Sequence, residues 1–285
     1  MMRHHLVIWS VAVVVLLSAA SVAVLRQAVL GRHRAPSPES LVAEAMALLQ
    51  EDPGAWAGQT QSAVRIASVH VEQGAIRSAQ AYFLLALQYR REANVSASEA
   101  LYKRAIAVEP EWSWPYAGLG ALLGRHTVGR SEEAIGALRK AIALDPGWGR
   151  PHNSLAVVLR IEGRYEEAEK EALAALRLAP DDVAAHNNYA NLLVEQQRLD
   201  EAEGHYRRAI ELEPTHPKPY FNLACLYSLL GRKAEAVVYL RDALERSPNL
   251  RTEAATDPDL DALREDPEFR RLLYGEAIGH EPPAG

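Results

Sequence analysis

Between residues 79 and 250 the apolar positions fall into paired helical patterns. In the stretch 183–214, VAAHNNYANLLVEQQ reads as one helix, RLD as a turn, and EAEGHYRRAIELEP as a second helix. The pair recurs on a fixed period. Pro146, Pro180, Pro214 and Pro248 follow one another at equal intervals, and Pro110 precedes Pro146 by an interval two positions longer. The words that end at these prolines are alike: AIAVEP, AIALDP, LRLAP, AIELEP and LERSP. Each proline sits where a second helix must stop. Gly163 and Gly231 sit where a first helix ends, the usual place for a left-handed cap. The pattern predicts five units, at about 79–112, 113–148, 149–182, 183–216 and 217–250. The second carries two extra turn positions within GRHTVGRSEEA, which accounts for the one longer interval. A period of this length predicts an all-α solenoid, in which each unit is one helix pair and neighbours share a core.

Side-chain size follows the same period. Ala86, Gly120, Ala156, Ala190 and Ala224 align in the first helices. Ser98, Ala134, Ala168, Ala202 and Ala236 align in the second, as do Ala105, Ala141, Ala175, Ala209 and Ala243. Small side chains there let helix axes approach closely. Larger residues alternate with them: Leu85, Leu119, Leu155, Tyr189 and Leu223, then Tyr102, Leu138, Tyr206 and Leu240. These predict the core fillers.

Outside the units the pattern changes. From Leu6 to Leu25 the chain runs without a charge. At ~1.5 Å per residue a helix of this run would span ~30 Å, a bilayer core. This predicts an N-terminal transmembrane anchor over residues 1–30, with a signal peptide cut after Ala20 or Ala23 as the alternative. The chain is accordingly expected to be a single-pass protein of a bacterial cytoplasmic membrane, its body on either side, or else exported after cleavage. Residues 31–40 read as a linker, and 41–78 as a helical adaptor or a degenerate repeat. Residues 251–274 read as capping helices. There Asp257-Pro258 and Asp266-Pro267 supply caps with first-turn prolines, and Leu260, Leu263, Phe269, Leu272 and Leu273 supply an apolar face. Residues 275–285 read as a disordered tail.

Composition narrows the class. At 48% hydrophobic and 24% charged residues the chain is expected to fold. Net charge is −6, yet residues 1–34 hold four arginines and no acid. The rest therefore has 27 Lys/Arg against 37 Asp/Glu, a net of −10, which argues against nucleic acid as a partner. Cys225 stands alone, so no intrachain disulfide forms. No GxSxG, HExxH, phosphate loop or dinucleotide fingerprint is present, so no catalytic residue, metal or cofactor is expected.

The succession of large, small and large residues, then alanine, aromatic, alanine and proline, resembles the tetratricopeptide repeat over residues 79–250. The resemblance is to the membrane-anchored bacterial type. It implies a right-handed superhelix of antiparallel helix pairs with a concave groove lined by the first helices. The groove would receive Trp114 from the second repeat, and Arg150, Asn153 and Arg160 from the third. Asn187 and Asn191 would follow from the fourth, then Lys218 and Phe221 from the fifth, with Asn188 and Asn222 just beside them. Asparagine carries donors and acceptors together and can hold a peptide backbone without reading its side chains. Asn188 and Asn222 stand one period apart, similar to the asparagine ladder of the O-linked N-acetylglucosamine transferases, although Gly118 and Ser154 break the series. The alternative is that these amides merely bond within the array. A chaperone-type carboxylate clamp is matched by Lys218 and Asn188 but not completed. His152 and His186, also one period apart, read as packing residues rather than metal ligands.

The resemblance implies a non-enzymatic scaffold that holds a peptide or protein in its groove, tethered through residues 6–25, as an assembly factor of an envelope complex. A recruiting subunit of a separate membrane enzyme is the alternative.

Overall fold

The structure is a computed structural model that describes residues 40, 42, 43, 45–47, 78–126 and 129–275. It is an all-α, antiparallel helix-pair solenoid, divided into two compact units, Met1–Leu144 and Asp145–Gly285.

Among the described residues the first unit has the helix pairs α1 (Ala79–Arg91) with α2 (Val95–Val108), and α3 (Ser113–His126) with α4 (Ser131–Leu144). The described residues between 40 and 47 are also helical, with Val42, Ala45 and Met46 buried. The second unit contains three pairs: α5 (Gly149–Ile161) with α6 (Tyr165–Leu178), α7 (Val183–Glu195) with α8 (Leu199–Leu212), and α9 (Pro217–Leu229) with α10 (Lys233–Arg246). Three short elements follow, α11 (Leu250–Thr256), a 3₁₀ turn (Pro258–Leu263) and α12 (Pro267–Tyr274). Within each unit a first helix packs on its own second helix and on the first helix of the next pair.

Caps explain the helix starts. Ser78 Oγ accepts from Ala81 N at 3.2 Å, Asn94 Oδ1 from Ala97 N at 3.1 Å, and Asp182 Oδ1 from Ala185 N at 3.0 Å. First helices end on a left-handed residue at one recurring place: Ala93, Gly129, Gly163, Gln197 and Gly231, with φ between 57° and 80°. The residue after it closes the turn. Asn94, Arg164, Arg198 and Arg232 each donate their backbone N–H to a carbonyl five residues back, at 2.8–2.9 Å. Glycine adopts this conformation without a Cβ clash; alanine and glutamine do not. Gln197→Gly is therefore expected to stabilise the second unit by about 0.5–1 kcal/mol, read as a rise in melting temperature. An unchanged or lower melting point would show that strain at Gln197 is relieved in some other way.

The residue after the left-handed position is an arginine in four of the five turns. Arg130 grips Glu99 with both terminal nitrogens, at 2.7 and 2.8 Å, and also meets Glu133. Arg198 joins Glu169 to Glu201, and Arg232 joins Glu203 to Glu235. Each thus ties one second helix to the next. The Arg130 guanidinium, with Lys103, holds the Glu99 carboxyl down to about 2. Exposed ion pairs contribute little each, so these clamps set register more than they set stability.

The core is the size pattern made physical. All fifteen aligned small residues are buried, from Ala86, Ala190 and Ala224 at 0% exposure to Ala156 at 5%. Tyr102, Leu138, Tyr206 and Leu240 are buried among them. Ser98, which stands where the later repeats have alanine, is fully buried because its Oγ donates to the Ala86 carbonyl at 2.8 Å.

The membrane expectations require correction. The sequence predicted a transmembrane helix in the fold, a membrane partner through residues 6–25, and a single-pass or exported localisation. Among the described residues no helix is long and apolar enough to cross a membrane. The longest α-helices among the described residues have 14 residues and carry charged side chains. At 1.5 Å per residue that length is ~21 Å, short of the ~30 Å bilayer core. Residues 6–25 lie outside the described residues, as do the linker, most of 41–78 and the tail after Gly275. The supported fold is the helix-pair solenoid, with no membrane-spanning helix among the described residues, and the anchored type, the membrane partner and both localisations are withdrawn.

Candidate functional site

In the second unit the first helices α5, α7 and α9 lie side by side, and their polar positions meet one residue beyond the repeat period. Asn188 Nδ2 donates to Asn153 Oδ1 at 3.0 Å, and Asn222 Nδ2 donates to Asn187 Oδ1 at 2.9 Å, each across 35 residues. Asn222 Nδ2 also donates to Asn191 Oδ1 at 3.0 Å, and the Tyr206 hydroxyl donates to that same oxygen at 2.6 Å. The charged positions repeat the offset. Arg160 pairs with Glu195, and Lys218 Nζ lies 2.6 Å from Glu253 of α11, again 35 residues away. These contacts join neighbouring helices one residue out of repeat register, so each side chain reaches the neighbour of its counterpart.

All five asparagines are half-buried. They bond to one another, as the plain structural alternative expects, and still keep capacity. Asn222 spends its amide nitrogen twice and keeps its carbonyl oxygen; Asn191 spends its oxygen twice and keeps its NH₂. Phe221 is 1% exposed, so burial limits what it can offer a partner to the wall of a cavity. The Lys218 ammonium sits 5.4 Å from the centre of its ring. Arg150 is exposed on α5. Trp114 belongs to the first unit. There it stacks on Trp112 at 6.1 Å and meets Phe83 at 5.7 Å, half-buried in an aromatic cluster. The carboxylate-clamp lysine is engaged by Glu253, which removes its free charge.

The two histidines are packing residues within their own repeats. His152 Nδ1 meets Glu171 at 2.6 Å. His186 Nδ1 faces His205 Nδ1 at 2.9 Å, and His186 Nε2 bonds the Pro180 carbonyl at 2.9 Å. Tyr220, in the equivalent place of the next repeat, reaches the Pro214 carbonyl in the same way at 3.0 Å. The aromatic at this place thus fastens α7 and α9 to the closing proline before each. With Nε2 donating to a carbonyl, His186 must accept at Nδ1 and His205 must donate.

Burial, then the charge of His186, lowers the His205 pKa below its ordinary 6.5. Glu201 raises it and Arg198 lowers it further; the Tyr189 ring lies edge-on at 4.8 Å. The unfolded chain therefore takes the proton first. The contribution to stability is complete above pH 6.5 and is lost as pH falls through the lower folded value. His205→Phe is expected to flatten the fall in melting temperature between about pH 7 and pH 5. If wild type and variant decline in parallel, His205 is not the titrating element.

Beside the amide network lies a cavity of about 190 Å³, lined in part by Asn191, Tyr206, Asn222 and Cys225. Sequence reasoning found the first-helix side of it. It missed the opposite wall, Glu253, Asp257 and Asp259, because that wall comes from the segment after the last repeat.

Profiles of the tetratricopeptide repeat match residues 127–183 and residues 181–249. Over those residues, less than half of the chain, the sequence is similar to tetratricopeptide repeats. No curated protein matches the sequence. Among solved structures, a thermophilic tetratricopeptide-repeat protein of Thermus thermophilus, TTC0263, is 23% identical with a TM-score of 0.57, over 62% of this chain and 97% of its own. PilF of Pseudomonas aeruginosa is 21% identical with a TM-score of 0.54, over 70% of this chain and 93% of its own. At these identities the likeness shows the fold alone. Tetratricopeptide solenoids are a generally non-catalytic family, and a non-enzymatic assignment agrees with these matches.

Proposed function

We propose that the chain is a binding scaffold that holds an extended peptide or protein segment along α5, α7 and α9. The contacts assigned to the segment are Arg150, Asn153, Arg160, Asn187, Asn188, Asn191, Lys218, Phe221 and Asn222, all of the second unit; Trp114, in the first unit, is not assigned to this site. One observation carries the reading. Five half-buried amides on consecutive first helices are fixed in orientation by their mutual bonds, yet keep unused donors and acceptors. A backbone peptide group needs one acceptor and one donor, which such a row supplies at any side-chain sequence. The fixed amides lose little freedom on binding, which favours affinity.

The test is selection from a displayed random peptide library, followed by affinity measurement on groove variants. Asn188→Ala and Asn222→Ala together are expected to weaken the selected peptides at least about tenfold, the effect of about 1.4 kcal/mol, while the fold is retained. If the double variant binds every selected peptide as wild type does and only melts earlier, the amides fasten repeats and the reading fails.

A further inference from the structure

The cavity at the end of the groove face is closed on one side by α9 and on the other by the segment 253–259. Two of the acids at it are neutralised within the chain, Glu195 by Arg160 and Glu253 by Lys218. Asp257 and Asp259 are not: neither has a cationic partner among the described residues. Both are half-buried. They are also locked together, since Asp257 Oδ1 accepts from Asp259 N at 2.9 Å. Asp257 Oδ2 faces the Cys225 thiol at 3.8 Å. Burial, then the charge of Asp257, pushes the Asp259 carboxyl up from its usual range. Two adjacent carboxylates partly out of water and without a counter-charge are costly, and a cation entering between them would recover that cost.

The remaining walls favour a cation on an apolar stem. Phe221, Leu226 and Leu229 line the same space, and Phe221 already has the Lys218 ammonium 5.4 Å from its ring. A metal ion fits less well, although Cys225, Asp257 and Asp259 bring their ligand atoms within 4.8 Å of one another. Burial and the surrounding carboxylates push the Cys225 thiol far up. A metal ion would have to displace that thiol proton, and would then hold three protein ligands, Cys225, Asp257 and Asp259, against the four of a structural zinc site.

We infer that this cavity receives the ammonium or guanidinium of a lysine or arginine side chain from the bound segment, paired with Asp257 and Asp259. The inference rests on the groove reading above and adds the chemistry of one position: the segment is anchored by a basic residue at its end nearest the last repeat. Charge-assisted bonds to carboxylate make that residue the strongest polar contact available there.

The probe is the same displayed random peptide library, selected in parallel on the wild-type chain and on the Asp257→Asn/Asp259→Asn variant. Asparagine retains the capping oxygen at 257, so the turn is kept, and Asp259→Asn alone serves as a second variant. Wild type is expected to select peptides with one position enriched in Lys or Arg. Those peptides should lose about tenfold in affinity when that residue becomes norleucine, or when the aspartates become asparagines. The variant should select peptides without the enrichment. Selected peptides with no basic preference, or with a preference that survives both variants, overturn this inference and leave the groove reading standing. No selected peptide overturns both. Tight Zn²⁺ binding that Cys225→Ala abolishes would identify the cavity as a metal site and overturn it as well.

Discussion

Phe269→Ala is expected to destabilise the second unit by about 3–5 kcal/mol, the largest loss of any single truncation in its closing segment. Phe269 is 1% exposed, on a helix of eight residues whose other buried side chain is Leu273. That helix is held at its start by Asp266, whose Oδ1 accepts from Glu268 N at 2.8 Å and Phe269 N at 3.0 Å. Polar ties reach back to the array: Glu268 pairs with Arg241 of α10, and the Leu272 carbonyl accepts from Arg251 of α11 at 3.2 Å. Such exposed ties contribute at most about 1 kcal/mol each. The ring must therefore supply most of what keeps α12 docked.

The consequence extends past α12. In a solenoid each repeat is stabilised by its neighbours, and the last one has an open face. Leu260 and Leu263 are fully buried in the 3₁₀ turn that packs on α9. Urea unfolding of the variant followed by circular dichroism measures the loss. The expected signature is an earlier midpoint, with the α9–α10 pair losing protection from amide exchange first. A loss under about 1 kcal/mol would mean that α12 is an ornament and that the last repeat closes itself.

Sequence legibility followed the physics of each feature. The proline period and the small-residue columns were legible because close helix packing admits few side chains at those places. The first helices' left-handed ends were legible only where glycine marks them, at Gly163 and Gly231; Ala93 and Gln197 adopt the same conformation at a cost that no sequence pattern announces. Helix α11 falls at the start of the range read as capping helices, 251–274. It begins near Arg251, one repeat length after Pro217, so it stands where a sixth first helix would start, but it stops after seven residues. The groove asparagines were legible as a series, whereas their mutual bonds depend on the one-residue offset between neighbouring helices. The carboxylate wall of the cavity was not legible, since Asp257 looked like a cap and is one. Only the packing of the closing turn on α9 shows that the same residue also faces Cys225.

Gly120 and Gly136 lie in one helix pair, and the same substitution is expected to move them in opposite directions. Alanine in place of glycine inside a helix gains about 0.5–1 kcal/mol from backbone entropy alone. At Gly136 a new Cβ meets nothing within 4 Å, so Gly136→Ala should raise stability by about that amount. At Gly120 a Cβ would stand 2.5 Å from Leu138 Cγ and 2.9 Å from the Ala134 carbonyl oxygen. Leu138 is fully buried and cannot swing clear, and the carbonyl belongs to backbone. α3 and α4 would have to separate, and overpacking of this kind costs about 1–3 kcal/mol. That outweighs the entropy gain, so Gly120→Ala should lower stability, and Gly120→Val should lower it by about 3 kcal/mol or more. The other repeats carry alanine at this place, so a consensus argument would favour Gly120→Ala; the contact distances say that this pair is packed more closely than alanine permits. Thermal melts of the three variants decide between the two. A higher melting point for Gly120→Ala would show that α3 and α4 yield at little cost, and that side-chain size at this column does not set the helix spacing.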